Sequence, residues 1–315
     1  MSGTQDVKSQ IDSIKNIRKI TRAMEMVAAA RLRKAEQRIE DLRPYARAIR
    51  RMTREAADAA GDLPKLPILE EHQEVRNVGL LLIAGDRGLA GAFNSNIVRA
   101  GTREGRRHSN EGRSPVYFAS GKRPASSLSF RGLEPAETFS GFTDRPSYDD
   151  ARRIAERIMA AYTDEEVDQV DIFYNEFESA MNQNVRQETL LPLQRASILE
   201  ESDSEEDEDE DDSSSDGERR GSRQDSSPGP LVEYEPDPEQ ILGRLVPDYV
   251  EISIYRALLD STASEHGARM TSMRAASDSA NEMIDDLTMQ MNRARQAEIT
   301  QEILEVVAGA EGLSG

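Results

Sequence analysis

From Ala28 the apolar positions Ala28, Leu32, Ala35, Ile39, Leu42, Ala46 and Ile49 recur at alternating steps of four and three. That spacing is a coiled-coil seam, with small residues interspersed where two backbones approach closely. Upstream, Val7, Ile11, Ile14, Ile17, Ile20, Met24 and Val27 continue the stripe, with a slip of phase around Ile14 to Ile20. Such a slip predicts a local change of supercoiling. Residues 4–60 therefore read as one helix, about 80 Å long at ~1.5 Å per residue. Pro44 lies inside it and should bend it or loosen a turn. Gly61, Pro64 and Pro67 end it.

The period then changes. Val78 to Ala84 is a short apolar run that predicts a buried strand, Gly85 to Gly91 a turn, and a helix follows from about Phe93. Val116 to Ala119 predicts a second strand, and Asp149 to Tyr162 a helix with Ile154, Ile158 and Ala161 on one face. Val167 to Phe177 and Val185 to Leu193 predict further strands. Strands alternating with helices imply a small α/β domain with a largely parallel sheet.

Residues 198–230 are dense in Asp, Glu, Ser, Gly and Pro. Such a stretch buries too little apolar area to offset its ordering entropy, so a disordered insert is expected, with an acidic interaction segment as the alternative. Residues 238–312 return to helix. Met273, Ala276, Ala280, Met283 and Leu287 form a second seam of the same period. Two long helices flanking a compact domain should pair as an antiparallel coiled coil, with the domain at one end of the rod. The last helix carries Arg295, Gln296 and Thr300, then the uncharged run Val306-Val307-Ala308-Gly309-Ala310. An apolar tip on a helix too long for a compact core needs a receiver.

The expected organisation is thus an N-terminal coiled-coil helix over 1–62, a central α/β domain over 68–195, an acidic insert over 198–230 and a C-terminal coiled-coil helix over 238–315. In class this is α+β or α/β: a long antiparallel two-helix coiled coil with a small Rossmann-like domain between its arms.

Composition narrows the chemistry. The 315 residues hold no Cys, which excludes disulfides, zinc-thiolate sites and thiol catalysis. His72, His108 and His266 are widely spaced and match no metal-ligand pattern, so no metal and no cofactor is expected. Aromatic content is only 5% and Trp is absent, which suits long Ala-, Met-, Arg- and Glu-rich helices better than a large core. The longest apolar run is too short to span a bilayer. The basic N-terminal stretch could mimic a mitochondrial presequence, but Asp6, Asp12 and Glu25 oppose that reading, so a cytosolic setting is expected.

The net charge of -19 is uneven: Glu200 to Asp225 carries 14 acidic and 3 basic residues, while residues 1–60 hold 14 Lys/Arg and 8 Asp/Glu. A basic helix in an acidic chain fits either a solvated face or an acidic partner. Nucleic acid is not expected, because no binding motif or aromatic interleaving accompanies the charge. The Gly85–Gly91 turn follows a strand and opens a helix, as phosphate sites do. Its spacing fits no phosphate-binding fingerprint, and Asp86 would repel an anion, so a tight turn with Arg87 paired nearby is the better reading. No nucleophile motif has a histidine near it.

Three segments resemble the γ subunit of bacterial F-type ATP synthases: Lys19 to Ala29, Asp86 to Gly91 with Asn94, and Ala294 to Ile303 running on to Ala310. Ser264 to Met270 and Tyr234 to Pro238 are similar too. The resemblance spans nearly all the chain except the acidic stretch. It implies a central rotor shaft, non-catalytic by itself. Its partners would be the α and β subunits of a hexameric collar, ε, and the ring of c subunits, on the cytoplasmic face of a bacterial membrane. By the same resemblance Arg295, Gln296, Thr300 and Met24 would contact β. The basic residues Arg22, Arg31, Arg33 and Lys34 would suit that acidic partner. Tyr234 and Glu235 would lie at the foot near the c ring, and Glu265 and Arg269 would form a helix pair at the neck. Two departures stand out: Ala90 occupies a place where Cys is frequent, and the acidic run lengthens the link to the C-terminal helix. From the residues alone, a non-rotary coiled-coil scaffold and an α/β enzyme with helical arms stay open.

Overall fold

The computed structural model describes residues 2–60, 67–193 and 238–313. Among these the elements in chain order are α1 (Ser2–Ala60), β1 (Asn77–Ile83), α2 (Phe93–Asn110), β2 (Ser114–Ser120), α3 (Lys122–Ser129), β3 (Glu137–Phe139), α4 (Tyr148–Thr163), β4 (Gln169–Phe177), β5 (Gln183–Leu191) and α5 (Pro238–Leu313). The acidic insert, Tyr234 and Glu235 lie outside the described residues.

On α1 the inward positions run Val7, Ile11, Ile14, Arg18, Thr21, Glu25, Ala28 and onward through Ile49 to Thr53 and Ala56. The steps alternate four and three without a break. The expected phase slip is therefore absent. It arises from following Ile17 and Ile20, which are 53% and 60% exposed, whereas polar Thr21 and Glu25 occupy the seam at 8% and 6%. These polar residues are satisfied there. Thr21 Oγ1 donates to the Arg18 carbonyl at 3.0 Å, and Glu25 accepts from Arg22 at 2.8 Å and from Arg274 of α5 at 2.9 Å. The helix continues through Pro44.

The second seam is shifted in the same way. The inward face of α5 runs Met273, Ser277, Ala280, Ile284 and Leu287, and Met283 is 56% exposed. Met273, Ala280 and Leu287 belong to both readings; apolar Ala276 favoured the first phase, whereas polar Ser277 and apolar Ile284 occupy the seam. The two helices are antiparallel. Arg18 Nη1 donates to Asn281 Oδ1 at 2.7 Å, Glu25 meets Arg274, and Leu32 and Ala35 cluster with Ala263 and Met270. Ala28, Ala35, Ala46 and Ala56 in the seam let the axes approach, while each fully buried Leu or Ile adds about 1.5–3 kcal/mol.

The sheet has the order β3-β2-β1-β4-β5. β1 pairs in parallel with β2 and β4, β2 pairs in parallel with β3, and β5 closes the edge antiparallel to β4. β1 is buried on both faces, as a central parallel strand must be. Leu80 and Leu82 pack with Ile97 of α2, while Leu81 and Ile83 pack with Ile154 and Ile158 of α4 and with α5. From Val250 to Arg269, α5 is buried on nearly every side, because α1 covers one flank and the sheet layer the other. The sheet layer thus sits against the lower part of the shaft, opposite the end where α5 runs on alone. α4 begins with a capping box, Ser147 with Asp150. Neither α3 nor β3 is expected from the hydrophobic pattern. α3 is eight residues long with Pro124 inside it, and β3 has three residues, both below the length at which periodicity shows.

Candidate functional site

The turn after β1 is a structural hub. Asp86 accepts from the Lys122 backbone N–H at 3.0 Å, from the Gly141 N–H at 2.8 Å and from Thr143 Oγ1 at 3.1 Å. Its carboxylate occupies the α3 N-terminus, where an anion would otherwise bind. Asn94 braces the turn from α2, accepting from the Gly85 N–H at 2.8 Å and donating to the Arg87 carbonyl at 3.0 Å. Leu89 (φ 63°) and Gly91 (φ 54°) take left-handed conformations, and Leu89 is 64% exposed. Arg87 pairs with Asp144 at 3.2 Å rather than with Asp86.

Here α5 passes the turn, and Glu265 and Arg269 lie one helical turn apart against it. They are 1% and 8% exposed, with Arg269 Nη2 donating to Glu265 Oε1 at 2.6 Å and to the Gly88 carbonyl at 3.3 Å. A Cβ on Gly85 would stand 2.7 Å from the Glu265 carboxylate, so only glycine admits this contact. Burial raises the Glu265 carboxyl, and Arg269 opposes that rise. Burial, then Arg269, pushes the His266 imidazole down to about 4, so it is neutral near pH 7. Asp144 joins the neck to α1 through Arg31 at 2.8 Å. Burial acts to raise Asp144, but the Arg31 hydrogen bond and charge, with Arg87, hold it below the usual range. Arg31, expected on a free basic face, is engaged here instead. Thr262 Oγ1 donates to the Thr143 carbonyl at 2.9 Å. The neck therefore locks α1, α5 and the sheet domain into one body.

The surfaces with unmet chemistry lie further along the shaft. Ile17, Ile20 and Val27 face outward on α1 at 53–60% exposure, spaced to form one stripe. Met24, on the same stripe, is half-buried at the edge of the seam. On α5, Ile299, Ile303, Leu304, Val306 and Val307 are 45–72% exposed, beyond the reach of α1. Arg295, Gln296 and Thr300 are exposed among them, with Thr300 Oγ1 donating back to the Gln296 carbonyl at 2.9 Å. The side chains of Ala308, Gly309 and Ala310 lie outside the described residues. The structure brings Arg295, Gln296 and Thr300 onto one stretch of helix, separates them from the Glu265–Arg269 pair, and buries that pair. The outward stripe of Ile17, Ile20 and Val27 was legible as apolar residues but was assigned to the seam.

A rigid two-helix shaft, locked to a sheet domain at one end and apolar and unpaired at the other, defines a subunit whose activity is exercised through partners. Among the described residues no helix is long and apolar enough to cross a membrane. The family model described as ATP synthase matches residues 3–313. The ATP synthase gamma chain of Rubrobacter xylanophilus is 40% identical over 314 residues, covering 100% of this chain and 99% of its own. That of Heliobacterium modesticaldum is 41% identical over 315 residues, covering 99% of this chain and 100% of its own. Among solved structures, a chain of the central stalk and c ring of the Tetrahymena thermophila mitochondrial ATP synthase superposes with a TM-score of 0.56. It is 25% identical and covers 82% of this chain and 99% of the other. The chain belongs to the ATP synthase gamma chain family.

Proposed function

We infer that this chain is the rotor shaft of an F-type ATP synthase, non-catalytic in itself, coupling ion-driven rotation of a c ring to conformational change at nucleotide sites on β subunits. The observation that carries the reading is the exposed apolar end of α5 on a chain alike over its full length to gamma chains. Residues 1–62 and 238–315 form the shaft, residues 68–195 the domain at its foot, and residues 198–230 an acidic insert. The tip turns inside a collar of α and β subunits, where Val306 and Val307 offer little to bond to and so suit a bearing. Arg295, Gln296, Thr300 and Met24 contact β. Charge-assisted bonds from Arg295 are worth about 1.5–3 kcal/mol each, enough to hold a dwell and weak enough to release. The foot, with Tyr234 and Glu235, meets the c ring and ε on the cytoplasmic face of the membrane, where the chain is peripheral. Glu265 and Arg269 act as the neck clamp, so that torque from the foot reaches the tip.

Coupling of this kind needs different contacts with different states of β, not chemistry on the shaft. The shaft supplies that asymmetry, since Ile17, Ile20 and Val27 face one way and the paired flank another. The test is ATP turnover by a reconstituted complex of α, β and this chain. Arg295→Ala with Gln296→Ala should lower turnover several-fold while the helical circular dichroism stays unchanged. Unchanged turnover overturns the contact assignment. Failure of the native chain to form a stoichiometric complex with α and β overturns the shaft reading itself.

A further inference from the structure

The inward face of α2 is pared down where it crosses β1 and β2. A Cβ on Gly101 would stand 2.9 Å from Leu82, and one on Gly105 would stand 2.0 Å from the Tyr117 hydroxyl. One turn on, the same face turns polar. Glu104 and His108, four residues apart, point over Asp171 of β4, and all three are buried at 9%, 1% and 2% exposure. His108 Nε2 lies 3.4 Å from Glu104 Oε1 and 3.9 Å from Asp171 Oδ2. Neither ring nitrogen makes a hydrogen bond. An imidazole buried this completely without a bond is costly unless something else satisfies it.

We propose that Glu104, His108 and Asp171 form a binding site for a divalent transition cation of the zinc class. One ligand atom from each residue can be chosen so that all lie within 4.8 Å of one another. Two ligands held about 2.0–2.1 Å from a tetrahedral ion stand roughly 3.4 Å apart. The Nε2–Oε1 pair already has that separation, Asp171 Oδ2 stands about half an ångström too far from Nε2, and the two carboxylates must also draw together from within 4.8 Å as the ion binds. The other ring nitrogen, Nδ1, faces Glu111 Oε2 at 4.0 Å. Glu111 must close on Nδ1–H by about 1 Å as the ion binds to serve as the outer carboxylate that presents the Nε2 lone pair. Asp171 is oriented by Gln169 Nε2 and Thr189 Oγ1, which donate to its Oδ1 at 2.9 and 3.0 Å and leave Oδ2 toward the imidazole. Gln187 Nε2 reaches Oδ2 only at 3.4 Å. Arg107 pairs with Glu104 Oε1, but its side chain is 60% exposed and can turn to solvent as the ion binds. Water completes the fourth position.

Imidazole among the ligands favours Zn²⁺ or Co²⁺ over Mg²⁺ and Ca²⁺. The bound ion fastens the end of α2 to β4, a structural role in the sheet domain that is independent of the shaft reading. The rival arrangement is the His108 ring lodged among the carboxylates of Glu104, Glu111 and Asp171 with no metal.

The test uses the full chain, stripped with chelator and titrated with Zn²⁺ in millimolar Mg²⁺, added to compete for exposed carboxylates. The site predicts one Zn²⁺ per chain and, with Co²⁺, the intense visible bands of a four-coordinate ion. It also predicts a Zn²⁺-dependent rise in melting temperature. All three should vanish in His108→Gln and in Asp171→Asn and persist in His72→Gln, a histidine paired with Asp168 elsewhere. Should His108→Gln fail to fold, X-ray absorption of the native Zn²⁺ form decides, with one imidazole and otherwise oxygen ligands expected. Absence of stoichiometric Zn²⁺ binding, binding that survives in folded His108→Gln, or an all-oxygen absorption spectrum would overturn the proposal.

Discussion

Removal of Arg269 tests the neck most sharply. In Arg269→Ala the Glu265 carboxylate, 1% exposed, loses the guanidinium 2.6 Å away. Deleting one member of a buried ion pair costs about 3–5 kcal/mol, because the remaining charge is left unpaired. At about 2–4 °C per kcal/mol for a chain of this size, the melting temperature should fall by roughly 6–20 °C. A double variant, Glu265→Leu with Arg269→Met, removes both charges and fills similar volume, so it should recover most of the loss. The pH dependence has a definite sign. Burial already lifts Glu265 above its ordinary 4.5, and loss of Arg269 lifts it further. A carboxyl raised in the fold stabilises relative to its ionised form only at low pH. The deficit should therefore be small below 4.5 and grow as pH rises through the folded value. Differential scanning fluorimetry of the full chain between pH 4 and 8 reads both effects. A fall below about 2 °C in Arg269→Ala, or a double variant as unstable as the single one, would refute the buried-clamp reasoning.

The remaining predictions concern the shaft. Glu25→Gln breaks the bridge between α1 and Arg274, and should cost about 1 kcal/mol at pH 7. Since the Arg274 hydrogen bond chiefly holds Glu25 below its ordinary value, that stabilisation is present above 4.5 and should fade as pH falls through the lowered value. Urea titrations of wild type and variant at pH 7 and pH 3.5 check it, and an unchanged difference at the two pH values counts against it. Asp260 lines a groove between α1 and the β4–β5 hairpin, and burial pushes its carboxyl up to about 7 against the pull of Arg256. With a raised carboxyl, stability should fall between pH 4 and 7 by at most about 1.4 kcal/mol per pH unit. Asp260→Asn should flatten that part of the melting profile, and an unaltered slope would show the carboxyl is not responsible.

The shaft was legible because seven heptads average out individual residues, whereas its facing was not. Hydrophobicity assigned Ile17 and Ile20 to the seam, yet Thr21 and Glu25 lie there because α5 supplies Arg274 to satisfy them. The same preference selected Ala276 over Ser277, which is buried at 6% exposure. An outward apolar stripe for a partner and an inward one for the other helix look alike in one sequence. The Asp86 turn was correctly read as a turn, because glycine spacing and a carboxylate are local signals. Its partners, Gly141 and Thr143, lie more than fifty residues away and left no trace. By sequence spacing His108 matches no metal-ligand pattern, although Glu104 stands four residues before it on the same helix face. Asp171 joins this pair only through the parallel placement of β1 and β4, which spacing alone does not encode. The resemblance pointed to Arg295, Gln296 and Thr300, which the fold leaves exposed, and to Glu265 and Arg269 at the neck, but not to the Asp144, Arg31 and Thr143 contacts that close it.

Rotation tests the central claim most directly. The chain has no cysteine, and Phe130 in the sheet domain is 93% exposed, so Phe130→Cys provides one attachment point far from the tip. With α and β immobilised and a bead fixed at residue 130, ATP should drive sustained rotation in a single direction. A bead that only diffuses while the complex hydrolyses ATP would contradict the account.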